Sequence, residues 1–510
     1  MHKKSRFGTA VLTLLFILTI SFAESARAQA TCGAQTFANT SILCSNATDA
    51  TMTVDGGATG FTAGTYEFSS ALFNVISSGG TATLNLYNSS GTSTSTIYPD
   101  GDDRTLLYVE AGTSATVDMF DSETFDGGTD YFNTILLSAK SAGAGAIDID
   151  IRDEVVLRTR KGGSTSIKAN GLDSTGNVDI TLSSSSTSVG DAAKIIVSGG
   201  ATGGVETIPG DAASATPIVR SYGIEAYSGA GDIDVNMNTT SVIAANEKGA
   251  VGIYANSTGG GDITINGKTL TTGGFVLAGG GIGIEAITGA GDVDVSIIGT
   301  GGSMDATDPG PFRFRAGGDS SQAAEAIGVR ARTTTGGIKV VFGGNSAFIM
   351  QGTARDSTMA DLASDSGKIE FEANTTDYGM QIAGRNNSLA KLSSVSGEIY
   401  ANIHGFVTIA NGGNGIVADS ATGSIDVNLR EGMGGVSTLV RFNASSGSDG
   451  GAGTNGIVAS VGTGVANIIV ADDSVMERVE ATIRGVTTFI NANTTGGEVN
   501  VNITDSAVLR

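Results

Sequence analysis

Positive charge is scarce in this chain. Its 510 residues carry 29 Lys and Arg against 51 Asp and Glu, a formal net charge of −22. Such a surface repels nucleic acid and anionic lipid, so DNA and RNA are excluded as expected partners, and solubility outside the cell is favoured. Histidine is rarer still, at two residues, His2 and His404. A Ser-His-Asp triad or a histidine-rich zinc site would have to rest on His404 alone. Cysteine is limited to Cys32 and Cys44, and proline to Pro99, Pro209, Pro217, Pro309 and Pro311. Beyond residue 28 no run approaches 18 apolar residues, so no membrane-spanning helix is expected there. The 3.6-residue spacing of an amphipathic helix is also missing from the repeated part of the chain.

Glycine, by contrast, supplies 76 of the 510 residues, about twice its usual share and with no strict every-third-residue period. Much of it falls in a motif that the chain writes repeatedly. GIEAYSGAGDIDV begins at Gly223, GIYANSTGGGDITI at Gly252 and GIEAITGAGDVDV at Gly283, with looser copies at Gly328, Gly415 and Gly456. In the first five copies a second Gly stands eight residues after the first, and the apolar residue beyond it is Ile233, Ile263, Val293, Ile338 or Ile425. Within a copy the period is two. Ile224 and Ala226 share one side with Glu225 opposite; Ile233 and Val235 face in while Asp232 and Asp234 face out. That pattern is a short half-buried strand, a Gly-rich turn and a second short strand. A third apolar run, such as Ser241 to Ala245, fits before the next copy. Strands this short cannot bury an apolar face alone, so neighbouring copies must stack, and the expected fold is all-β, a parallel β-helix. About a dozen coils or more at ~4.8 Å make a rod on the order of 60–75 Å long.

Residues 1–28 read as a secretory signal peptide. Lys3, Lys4 and Arg6 form a basic start, Ala10 to Phe22 an apolar run, and Ala26-Arg27-Ala28 a cleavage site. Residues 29–135 read as an N-terminal cap with degenerate first coils, and 136–510 as the repetitive β-helix. The cap begins with Cys32 and Cys44, an even pair in an exported chain, expected to form a disulfide. Aromatic residues concentrate there, among them Phe61, Phe73, Tyr87, Phe120 and Phe125, either as packing or as a ligand platform. Asp100 to Asp103 and Asp126 to Asp130 resemble calcium loops loosely, without the spacing of a known pattern. Serine-rich Ser183 to Ser188 and the Gly/Ser stretch Ser445 to Gly453 read as loops. A further insertion, around Gly301 to Ser321, should project from one face.

Three features could carry chemistry. Asp232, Asp262 and Asp292 share one repeat position, where stacked carboxylates either bind calcium, the one cofactor these residues suggest, or form a solubilising acidic face. Arg313, Arg315, Arg330 and Arg332 crowd a short window of an acidic protein, either to grip an anionic glycan or to pair with acids of neighbouring coils. Gly318-Asp319-Ser320 resembles a hydrolase nucleophile motif. Its only histidine partner, His404, is not preceded by the nearby aspartate such esterases carry.

The leader followed by degenerate G-I-x-A…G-x-I-x-V coils, rich in Gly, Ser, Thr, Asn and Asp, resembles the passenger domain of a Gram-negative autotransporter. The resemblance covers most of residues 136–510, and its motif carries no catalytic residue. It implies a right-handed parallel β-helix at the outer membrane surface or released from it, non-enzymatic and often serving adhesion to a host or matrix glycan or protein. It also implies an outer-membrane β-barrel translocator, expected C-terminal to this chain; the coil pattern still runs at Val508-Leu509-Arg510, a departure from the family that reads either as a fragment or as a different export route. The related two-partner secreted haemagglutinins carry Asn-Pro motifs, and none of the five prolines follows an asparagine. The competing expectation is a secreted β-helical polysaccharide lyase or hydrolase acting on acidic glycans. A lyase would use the Arg patch beside calcium; a hydrolase would use a carboxylate pair.

Overall fold

A computed structural model describes residues 30–35, 42–55, 71–87, 95–97, 99, 101–120, 123–127, 131–183, 193–197, 220–238, 242–245, 249–269, 275–278, 281–299, 313–316, 326–344, 347–350, 357–383, 387–410, 414–430, 438–443, 454–470, 479–484, 487–503 and 507–509. Every regular element among them is a β-strand. The expected signal peptide, the tripeptide Gly318-Asp319-Ser320 and the Ser445 to Gly453 loop lie outside the described residues, as does most of the Gly301 to Ser321 insertion.

The chain winds as a parallel β-helix. One sheet of 14 strands collects the first strand of each coil, from Ile42–Asn46 through Ser221–Ser228 and Ala250–Ser257 to Thr487–Thr494. A second sheet of 26 strands collects the second and third strands. These two ladders fuse where Ile369–Ala383 and Ile399–Ala410 run from second position to third without a break. Pairing is parallel throughout. The expected third run is there: Val242–Ala245 pairs with Lys194–Val197 below and Phe275–Ala278 above.

Alternation explains the packing. Ile167, Ile224, Ile253, Ile284 and Val329 stand in register in the first ladder. Val178, Ile233, Ile263, Val293, Ile338 and Ile369 do so in the second. None of these side chains is more than 1 % exposed. Burying each contributes about 1.5–3 kcal/mol, and much of that burial is supplied by the coils above and below. In the last described coil the inward positions lose their upper neighbour, and Val501 and Ile503 are 46 % and 45 % exposed.

The Gly-rich turn between first and second strands is where backbones approach most closely. A Cβ on Gly261 would lie 2.2 Å from the Gly231 carbonyl oxygen, and one on Gly291 would lie 2.2 Å from that of Gly261. In a run of coils a buried hydroxyl ties the turn to the one below. Ser257 Oγ donates to the Gly231 carbonyl at 3.2 Å and accepts the Gly261 N–H at 2.9 Å. Thr288, Thr333 and Ser364 repeat the arrangement on Gly261, Gly291 and Gly336.

The N-terminal strands join the same ladders. Phe73–Ser77 pairs with Ile42–Asn46 and Thr105–Ala111, and the latter pairs with Ile135–Ser141. Phe73 and Phe125 are fully buried, while Tyr87 and Phe120 stack across coils at 5.4 Å with Arg152 over the Phe120 ring. Cys44 is buried and disulfide-bonded, and Cys32 is the only other cysteine in the chain.

Candidate functional site

The densest charged constellation lies on the outer face of the first ladder. Lys168, Glu225, Tyr254, Glu285, Arg330, Asp361 and Lys391 occupy one register column, one residue per coil. Alternation points this column outward, yet Glu225 and Glu285 are only 5 % and 3 % exposed. Beside it Val251, Ile282 and Ile327 form a small apolar cluster, packed by Tyr222 and Tyr254.

Burial on that scale requires partners, and both acids have them. Glu225 accepts from Lys168 at 3.1 Å, Tyr227 Oη at 2.8 Å and Thr165 Oγ1 at 3.3 Å. Glu285 is gripped from both sides, by Arg220 at 2.6 Å and Arg330 at 3.3 Å. Arg330 also reaches Asp361 at 3.4 Å, and Arg332 meets the same carboxylate at 2.6 Å. Burial alone would lower the Arg220 guanidinium, but the Glu285 charge and hydrogen bond, with Tyr222, hold it above its ordinary value. The Tyr227 phenol is pushed far up, by burial first and then by Glu225. Both oxygens of Glu285 and of Glu225 are engaged, so the network can hold coils in register.

The four arginines singled out in the sequence fall on strands of two different ladders. Arg330 and Arg332 sit in the first ladder, paired with acids of neighbouring coils as one of the two readings expected. Arg313 and Arg315 belong to Arg313–Ala316, a strand of the third ladder between Phe275–Ala278 and Ala347–Met350. Ten residues, 317–326, separate that strand from Ile327–Thr333, which opens the next coil in the other sheet and carries Arg330 and Arg332. The partners Arg220, Glu225, Glu285 and Asp361 were missed, although Glu225 and Glu285 are the same letter of two clear motif copies.

Asp232, Asp262 and Asp292 do stack at the turn corner. Asp232 Oδ1 accepts the Asp262 N–H at 2.9 Å, Asp262 Oδ1 that of Asp292 at 2.8 Å, and Asp292 Oδ1 that of Gly337 at 2.7 Å. One oxygen of each thus caps the next turn. Asp102 and Asp103, from a suspected calcium loop, likewise accept from Phe132 N–H and Asn133 Nδ2 one coil on. Asp126 is buried against Arg160 at 2.7 Å. No group of three or more His, Cys, Asp or Glu among the described residues is arranged to hold a metal ion. His404 is half-buried in the second ladder, in register with Asn374 and Arg430.

No family model matches the chain, and no curated protein matches its sequence. Its function is therefore argued from the coil architecture and the chemistry of its faces.

Proposed function

We propose that this chain is an exported, non-enzymatic rod of the autotransporter-passenger type, held at the outer membrane surface by a β-barrel translocator and serving adhesion or display. The observation that carries the reading is the unbroken ladder of 14 first strands, which at ~4.8 Å per coil extends roughly 60 Å. A rod of that length holds its outer faces away from a membrane. The acidic composition and the leader-like residues 1–28 support export. The lyase alternative draws less support, because Arg330 and Arg332 are engaged by Glu285 and Asp361.

The test is attachment. Gram-negative cells displaying the chain on an outer-membrane β-barrel should adhere to mucin- or matrix-coated surfaces better than cells displaying the barrel alone. Equal attachment on every surface refutes adhesion. N-terminal sequencing of the exported product should read from Gln29, and an uncleaved leader refutes export by this route.

A further inference from the structure

On the outer face of the second ladder lies a hollow of ≈ 320 Å³, lined by Asn236, Asn238, Asn266, Gly267, Ser296 and Ile298. That volume is at the small end of ligand sites, which run from about 300 to 1,000 Å³. All six of its lining residues are uncharged. We infer that this hollow binds a neutral saccharide. The inference deepens the adhesion reading by naming a ligand class for the surface.

The coil stacking builds the recognition pattern. Asn236, Asn266 and Ser296 are in register on successive coils, so an amide, an amide and a hydroxyl recur every ~4.8 Å. Asn266 Nδ2 donates to Asn236 Oδ1 at 3.1 Å. Among the described contacts this leaves the Asn236 amide a donor and the Asn266 amide an acceptor to offer. An adjacent donor and acceptor of that kind suit the hydroxyls of a sugar ring, each of which both donates and accepts. Half-buried Ile298 supplies a small apolar surface for the ring's C–H face.

Charge selects against an acidic ligand. Asp234 and Asp294 stand two residues back on the same strands as Asn236 and Ser296, hence on the same face. Lys268 shares the register of Asn238 and Ile298, which makes an anionic oligosaccharide the competitor to test.

The experiment is calorimetric titration of the full chain with cellotetraose, mannotetraose and chitotetraose as neutral probes and tetragalacturonate as the anionic one. At least one neutral probe should bind with a Kd of about 1 mM or tighter, and tetragalacturonate at least about tenfold more weakly. Asn266→Ala and the exposed-site Asn238→Ala should each weaken that binding about tenfold. Asn402→Ala, in the amide pair Asn428–Asn402 elsewhere on the same ladder, should not. Asn238→Ala keeps the test alive if Asn266→Ala fails to fold. No heat from any neutral probe at about 10 mM overturns the inference, as does unchanged affinity in Asn238→Ala or tighter binding of tetragalacturonate. Absent saccharide binding with intact cell attachment sinks this inference alone. Saccharide binding without attachment sinks the adhesion reading instead.

Discussion

The Gly-rich turns offer the sharpest test of the coil architecture, because two glycines of one turn differ in kind. A Cβ on Gly289 would meet its nearest atom, the Thr258 carbonyl oxygen, at an ordinary 3.5 Å. A Cβ on Gly291 would lie 2.2 Å from the Gly261 carbonyl oxygen and 2.5 Å from its carbon. Relieving that clash moves the turn off the one below by about 1 Å. Three bonds tie those turns together: Thr288 Oγ1 to the Gly261 carbonyl at 3.0 Å, Asp292 N–H to Asp262 Oδ1 at 2.8 Å, and Ile263 N–H to the Asp292 carbonyl at 2.8 Å. At about 1 kcal/mol each, Gly291→Ala should cost about 3 kcal/mol, while Gly289→Ala should stay within about 0.5. A repeat array opens locally, so the readout is amide hydrogen exchange from Ile263 to Val295. Protection there should fall about a hundredfold in Gly291→Ala and stay unchanged in Gly289→Ala. Equal protection in the two variants refutes the stacked-turn account.

Val461 occupies the turn position that Ser420 and Thr494 fill in the adjoining coils; Val461→Thr should raise the melting free energy by about 0.5–1 kcal/mol, and no gain in Tm would count against the hydroxyl ladder. Glu285→Ala takes from buried Arg220 its carboxylate and leaves Arg330 only Asp361, so urea unfolding should show a loss of about 3 kcal/mol, whereas Lys368→Ala, at an exposed pair with Glu370, should lose under about 0.5. Asp179 lies between Asp148 and Asp234 in one column, and its carboxyl is held above 3.8 by burial first and then by those charges. The folded chain therefore binds that proton more tightly than the unfolded one, and stability falls as pH rises from 3.8 through the folded value. Asp179→Asn should remove this fall. Like charges one strand spacing apart repel by roughly 1 kcal/mol in water, so the variant should gain up to that at pH 7 and nothing near pH 3; denaturation curves that stay parallel across that range refute it.

The coil phase was legible because one signal is repeated: Ile233, Ile263, Val293 and Ile338 are consecutive members of a single column, and Ile425 lies three coils further along it. Glycine marked the turn for the same reason. The hydroxyl beside it was not legible, since Ser228, Ser257, Thr288, Thr333 and Ser364 mix two residue types in a chain full of both. The Asp232, Asp262 and Asp292 column was read correctly as a stack, but its backbone bonds depend on turn geometry that letters do not show. The pairing of Arg330 was not legible for another reason. Closeness along the chain is poor evidence of contact in a coil, where Arg330 meets Asp361 and Glu285, 31 and 45 residues away.

In every coil the bonds between strands run along the rod. A pull applied to its two ends therefore loads those bonds one coil after another, by peeling, and never shears a whole sheet at once. A coil of about 30 residues, as between Ile224, Ile253 and Ile284, lengthens the chain by roughly 100 Å when it lets go, and a longer one, as between Val178 and Ile233, by more. A tethered rod of this construction would yield under load one coil at a time, acting as an extensible line rather than a brittle spar.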